Sequence, residues 1–291
     1  MKPDEPAADG PAHDGPSAHD GAATGALRAT RTARTPGATD LASIGRALDH
    51  GAAVVLPNPA PLTHVVAGTD PQAVNMAKGR PADQPVALWA HHPDTLTALG
   101  PVLDLDPAGL ALVGRLLADE LLTLLVPLRP AVRLPGWLAP ASKDGWALLF
   151  GARWAPLRQL LDRTPVLYVS SANRTGRPPA ATPAEAVAMF APATPVLDTA
   201  DLPDTADLPD TADLPDRLTG HRAAPTGSAP VRRATTTLRL HPDGRLALHR
   251  HGAQDHPYPD AAAYLARLRA VLPEASVQAP VQDARRAGTA D

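Results

Sequence analysis

Apolar side chains recur at helical spacing at Leu41, Ile44 and Leu48, and Gly51 follows as a stop. The run AAVVLP then reads as a buried strand. In TDPQAVNMAKGRP, Asp70 is an N-cap, Pro71 the first helical residue and Gly79 the end, with Val74 and Ala77 inward. PVALWA reads as a strand. PAGLALVGRLLADELLTLLVPL reads as a helix running into a strand at Leu122 to Val126. GWALLFGA and PVLYVSS are two more strands, with a helix between them carrying Leu157, Leu160 and Leu161. ATPAEAVAMF opens with a capping box, Thr182 to Glu185, and PVLD at Pro195 to Asp198 is a short strand. ATTTLRLHPDGRLALHRHGA predicts a hairpin about His241-Pro242-Asp243-Gly244, and PDAAAYLARLRAVL a closing amphipathic helix. Helices and strands are mixed throughout, which puts the chain in the α/β or α+β class.

The pattern is absent at both ends. Residues 1–40 hold Ala, Gly, Pro, Asp and Thr with almost no large apolar side chain, too little to offset the entropy of ordering, so a disordered tail is expected. AHDG occurs there twice, and His13, Asp14, His19 and Asp20 offer at most weak metal ligation. The six residues TADLPD occur three times over 199–216, a period too short for a solenoid unit, and read as a solvated acidic insertion. The expected organisation is a domain over 41–254, a helix over 255–273 and a polar tail over 274–291.

Composition narrows the function classes. A formal net charge of −3 argues against a chain that coats nucleic acid, although a local basic site remains open. The absence of cysteine rules out disulfides, thiolate metal sites and a cysteine nucleophile. No apolar run approaches the ~20 residues needed to span a bilayer, and MKPDEPAADGPAHDGPSAHDG lacks the apolar core of a signal peptide. No membrane association and a cytoplasmic location are expected.

Two stretches carry candidate chemistry. In LYVSSANRTGRPP an apolar strand, Val166 to Val169, switches to Ser170, Ser171 and Asn173 at its C-terminal end, the edge at which open α/β sheets bind ligands. Short hydroxyl and amide groups followed by Gly176 suit phosphate oxygens; they equally suit helix caps and turns. In AKGRP, Lys78 and Arg80 sit two residues apart at a helix end, where Arg80 can grip a phosphate or carboxylate in bidentate fashion and Lys78 acts as a point charge. The pair can equally serve to complement the helix dipole. GxxxxGK[ST], GxGxxG after a strand, HExxH and GxSxG are all missing. His91 and His92 are adjacent, poorly arranged for one metal, and read as surface residues.

In order, KGRPADQPVALW, SANRTGRPP, TPAEAVAMF, TTTLRL and HRHGA resemble the YrdC-like family of threonylcarbamoyl-AMP synthases. The resemblance spans about Leu41 to Ala253. KGRP matches that family's KxRP, SANRTGRPP its SAN-x-SG-x-P with Thr175 for the second serine, TTTLRL its STVVD strand with Thr235 and Thr236 at the Ser-Thr positions, and HRHGA its LRPGA turn with Arg250 and Gly252 retained. The resemblance implies an α/β fold, a twisted mixed sheet with flanking helices and a concave basic cavity. It implies a reaction of L-threonine, bicarbonate and ATP with Mg2+, giving threonylcarbamoyl-adenylate and pyrophosphate for transfer RNA modification. Lys78 and Arg80 are the implied catalytic pair. The implied ATP ligands are these two with Ser171, Asn173, Thr235, Arg250 and Arg153.

The departures fall on the amino-acid side. The family's PTDTVYGL is LPNPAPLTHVVAG here, with Thr63 and His64 as the nearest polar substitutes, and its PGPLT leaves only Leu122 and Thr123. Trp89 replaces a polar residue after KxRP. A pocket stripped of such groups changes its amino-acid discrimination steeply. Three functions follow: a carbamoyl-adenylate synthase with an altered amino acid or amine substrate, a non-catalytic binder of nucleotide or double-stranded RNA, or a carbamoyl-transfer accessory.

Overall fold

Strands buried on both faces organise the protein. The computed structural model describes residues 34–202 and 231–271. The AHDG segment, all of the TADLPD repeat beyond residue 202 and the 274–291 tail lie outside the described residues.

The strands are β1 (Val54–Leu56), β2 (Val65–Gly68), β3 (Ala87–Trp89), β4 (Thr123–Pro127), β5 (Ser142–Lys143), β6 (Trp146–Phe150), β7 (Tyr168–Ser171), β8 (Thr237–Leu240) and β9 (Leu246–Arg250). They form one sheet in the order β1-β2-β7-β3-β6-β4-β8-β9, with β5 pairing β6. β3–β6 and β4–β8 are parallel and the remaining pairs antiparallel. The helices are α1 (Leu41–Asp49), α2 (Pro71–Ala77), α3 (Pro93–Leu99), α4 (Pro107–Ala118), α5 (Arg158–Asp162), α6 (Pro183–Phe190) and α7 (Ala261–Val271). The expected class, an α/β twisted mixed sheet with flanking helices, is the one observed.

The helix starts follow local chemistry. Asp40, Asp70 and Asp106 accept from Ser43 N at 2.7 Å, Gln72 N at 2.9 Å and Gly109 N at 2.7 Å, and Pro71, Pro93, Pro107 and Pro183 have no N–H that would need an acceptor in the first turn. Thr182 and Glu185 form the expected capping box.

One sheet face sends Val55, Val66, Leu88, Leu124, Leu149 and Leu238 into a core closed by α2, α4, α6 and α7. The other sends Val54, Val65, Ala67, Trp89 and Val169 against Ile44 and Leu48 of α1 and Leu160 and Leu161 of α5. Each fully buried aliphatic side chain contributes about 1.5–3 kcal/mol. The apolar side chains that α1 and α5 contribute pack with β1, β2, β3, β6 and β7, while on the same face Thr123, Leu125 and Thr237 line open space.

Several expectations need correction. The ordered body begins before Leu41, because Thr39 bridges Leu197 and Asp40 caps α1. The C-terminal helix is not separate from the domain: Tyr264 and Leu268 of α7 are buried in the main core. PVLD makes only isolated bridges, through Val196 and Leu197. The strand expected from PVLYVSS is as read at its C-terminal end, where β7 takes in Ser170 and Ser171. β2 and α3 are additional elements. His91 is buried rather than a surface residue, because it follows the central strand β3 and its ring packs edge-on against Trp89 at 5.9 Å.

Candidate functional site

The uncovered part of the sheet forms a cavity of about 280 Å³, floored by Val65, Val169, Ala87, Leu148 and Leu125. Thr63, Thr123, Thr235, Thr237, Ser170, Ser171 and Asn58 add a rim of hydroxyl and amide groups, and Arg80, Arg250 and His249 supply the cationic and titratable groups. No Asp or Glu is among the lining residues. Burial works against the charge of both Arg80 and Arg250. An anion set between them would offset that penalty.

Arg80 is held at one edge only. Its Nε donates to Asn75 Oδ1 at 2.5 Å, and Asn75 is itself fixed by bonds to Ala82 O and Gln84 O, both at 2.8 Å. One terminal nitrogen, Nη2, is buried without a protein partner. Arg250 donates to Thr235 O at 3.3 Å, and Thr235 Oγ1 lies 2.5 Å from Thr123 Oγ1. Gly252 permits this contact: a Cβ there would lie 2.2 Å from Thr236 N and 2.3 Å from Thr235 C.

Lys78 does a different job from the one its charge suggests. It caps α2, and Gly79 follows at φ 65°, a left-handed turn that aims the lysine back at the sheet. Its ammonium donates to Ser171 O, to Asn173 O at 2.8 Å and to Asn173 Oδ1 at 2.8 Å. That uses its three hydrogens. Ser171 Oγ also donates to Asn173 Oδ1, at 2.7 Å, and Asn173 Nδ2 donates to Arg177 O at 2.8 Å and Arg174 O at 3.2 Å. The AKGRP and SANRTG stretches are therefore one cluster, with Lys78 and Asn173 behind the lining and Arg80 and Ser171 in it. Burial, and secondarily Arg80, push the Lys78 ammonium down to about 7.

Of the residues singled out from the sequence, Arg80, Ser171, Thr235, Arg250, Thr63 and Thr123 line the cavity. His64 and Arg153 do not. His64 alternates away from Thr63 and Val65; its Nδ1 lies 3.2 Å from Ala180 O, its Nε2 has no partner, and burial lowers it to about 4. Arg153 lies against Ala90 O at 3.4 Å, beyond the end of β6. Trp89 is a core residue whose Nε1 donates to Ala152 O at 2.7 Å. Asn58, Thr237 and His249 also line the cavity. Of these, Asn58 had a visible signal, a polar residue set between prolines after a buried strand. Among the described residues no three His, Cys, Asp or Glu side chains gather into a metal site, and no helix is long and apolar enough to cross a membrane.

Comparison with known proteins gives a fold-level likeness. No family model matches the sequence and no curated protein does. The chain is similar in structure to P. abyssi Sua5 complexed with L-threonine, at 16% identity and TM-score 0.49, over 72% of this chain and 53% of that one. It is similar to E. coli YciO at 12% identity and TM-score 0.48, over 73% and 89%. It is also similar to full-length HypF in its phosphate- and nucleotide-bound form, at 14% identity and TM-score 0.48, over 74% and 29%. The chain spans about half the length of the Sua5 chains it matches.

Proposed function

We propose that this protein is a diverged YrdC-like synthase that condenses an amino acid or amine, bicarbonate and ATP into a carbamoyl-adenylate and pyrophosphate. The observation that carries the reading is the cavity lining: two guanidinium groups, a rim of hydroxyls, no carboxylate, and an Arg80 Nη2 with no partner. The stretches resembling KxRP, SAN and LRPGA contribute Arg80, Ser171 and Arg250 to this lining.

Such a reaction needs no nucleophile from the enzyme. The neutral amine and bicarbonate give a carbamate and water; a carbamate oxygen attacks the α-phosphorus and pyrophosphate leaves. The protein's part is to hold polyanions in line and balance their charge. Arg80 and Arg250 would hold triphosphate oxygens, with Ser171 and Thr235 donating beside them. Thr63, Thr123 and Asn58 would meet the polar groups of the acceptor. Lys78 and Asn173 would act from behind by fixing Ser171. Magnesium would enter with the triphosphate, since the lining offers hydroxyl and amide oxygens and no carboxylate.

The test is pyrophosphate release measured against each amino acid and simple amine, with and without bicarbonate. Release that requires both bicarbonate and one acceptor is expected. Arg80→Ala is expected to lower ATP affinity at least ~10-fold, read as lost thermal stabilisation by MgATP. Release independent of bicarbonate overturns the reaction. Undiminished stabilisation of the Arg80 variant overturns the site. Stabilisation by duplex RNA instead of ATP, falling steeply with salt, would replace the synthase with an RNA binder.

A further inference from the structure

The turn after β9 builds a second polar cluster beside the cavity. The Asp255 side chain is only 5% exposed. Its Oδ1 accepts from Thr236 Oγ1 at 2.6 Å and Gly252 N at 2.7 Å, while its Oδ2 lies 2.5 Å from His251 Nδ1. Thr236 Oγ1 accepts in turn from Gln254 N and Asp255 N, both at 3.1 Å. The two carboxylate oxygens thus have separate tasks: Oδ1 closes the turn and Oδ2 serves only the imidazole.

Burial alone would raise the Asp255 carboxyl, but the hydrogen bonds from Thr236, His251 and Gly252 outweigh it and hold it below its ordinary range. An ionised carboxylate accepts and cannot donate, so the shared proton belongs to His251 Nδ1, and in the neutral ring the lone pair is on Nε2. The His251 side chain is 78% exposed. It lines a second cavity of about 570 Å³, which shares Thr63 and Ala234 with the first. The turn does not need the ring, since its backbone is tied by Ala253 N to Ala234 O at 2.9 Å. An exposed imidazole with a buried carboxylate fixing its tautomer, opening on a cavity, is arranged as a general base.

We propose that His251, aligned by Asp255, takes the proton from the ammonium group of the acceptor; this rests on the synthase reading above. The N–H bond of the ammonium breaks, its electron pair stays on nitrogen, and the proton moves to His251 Nε2 and then to solvent. The neutral amine and bicarbonate then give carbamate and water. The other charged or titratable groups around this cavity are Arg232, Arg233, His256, Tyr258 and Asp260. Arg232, whose Nη1 donates to Leu62 O at 2.6 Å and Asn58 O at 3.1 Å, and Arg233, which lies 3.2 Å from His256 Nε2, work against an ammonium charge there, and Asp260 works for it.

The experiment is the initial rate of bicarbonate-dependent pyrophosphate release from pH 6 to 9 for the full chain, His251→Gln and Asp255→Asn. Each variant is expected to lose ~10²-fold or more in kcat with MgATP stabilisation unchanged. His251→Gln should also lose the acidic limb of the pH profile. In Asp255→Asn the amide oxygen can keep the turn, while its NH2 donates to Nδ1 and moves the ring proton to Nε2, a change read by 15N NMR of His251. A wild type active with some acceptor, beside a His251→Gln variant within threefold of it and of unchanged pH profile, overturns the general base alone. Asp255→Asn at the wild-type rate overturns the alignment by Asp255. A wild type that releases no pyrophosphate with any acceptor overturns this inference together with the synthase.

Discussion

Replacing Lys78 with methionine separates the burial of a charge from the bonds that the charge makes. Lys78 is 4% exposed, and its ammonium falls from the ordinary 10.5 to about 7. Between those values the unfolded chain binds a proton at this position that the folded chain does not, so folded stability rises with pH across the window. Below about pH 7 both states are protonated and the contribution is flat. From pH 6 to pH 9 the gain from this one group is about 2–3 kcal/mol. The methionine variant lacks this titration, so all other groups cancel in the difference between the two proteins. Ser171 O keeps its bond from Asn173 N and Asn173 Oδ1 its bond from Ser171 Oγ, so only Asn173 O loses the one donor shown for it, at about 1–3 kcal/mol, offset by the removed charge penalty. The assay is urea unfolding of both proteins at pH 6, 7.5 and 9. The wild type should gain on the variant by about 2–3 kcal/mol between the first and last. A difference that stays constant across that range would refute the claim that Lys78 is a costly buried cation.

Two further predictions concern stability. Gly252→Ala would drive a methyl into the backbone of Thr235 and Thr236, so a loss of about 3 kcal/mol or more is expected in chemical denaturation, with collapse of the cavity wall. His64 and His91 are both buried and held down to about 4, so each is neutral in the folded chain while the unfolded chain binds a proton below 6.5. Stability should therefore drain away as pH falls from 6.5 to 4, by roughly 3 kcal/mol per histidine, and His64→Phe should flatten the acid limb of stability against pH.

The parts of the site that local chemistry dictates were legible in the chain. A proline-led helix with an aspartate cap fixes where AKGRP turns, and a strand that ends in small polar residues is a lining strand in the fold. The partition of roles within those stretches was not legible. Lys78 and Arg80 differ by two residues in sequence, yet one is consumed by Asn173 and Ser171 and the other is left open, which depends on where β7 lies relative to α2. His64 and Thr63 were equally polar candidates, and only strand alternation, invisible in so short a segment as VVAG, separates them. The His251–Asp255 pair has helical spacing inside a turn, and Thr236, which holds it, arrives from across the hairpin. Tertiary placement decides such cases, and no local pattern encodes it.

The strand order has a mechanical consequence. Arg80 follows α2, which packs on β2 and β7, whereas Arg250 closes the β8–β9 hairpin, which joins the sheet through the short pairing of Thr123, Leu124 and Leu125 with β8. The two guanidinium groups thus behave like the jaws of a calliper whose screw is the β4–β6 region. Repacking Leu124 or Leu149, buried on the reverse face, would reset the gap between the two guanidinium groups without touching the cavity lining.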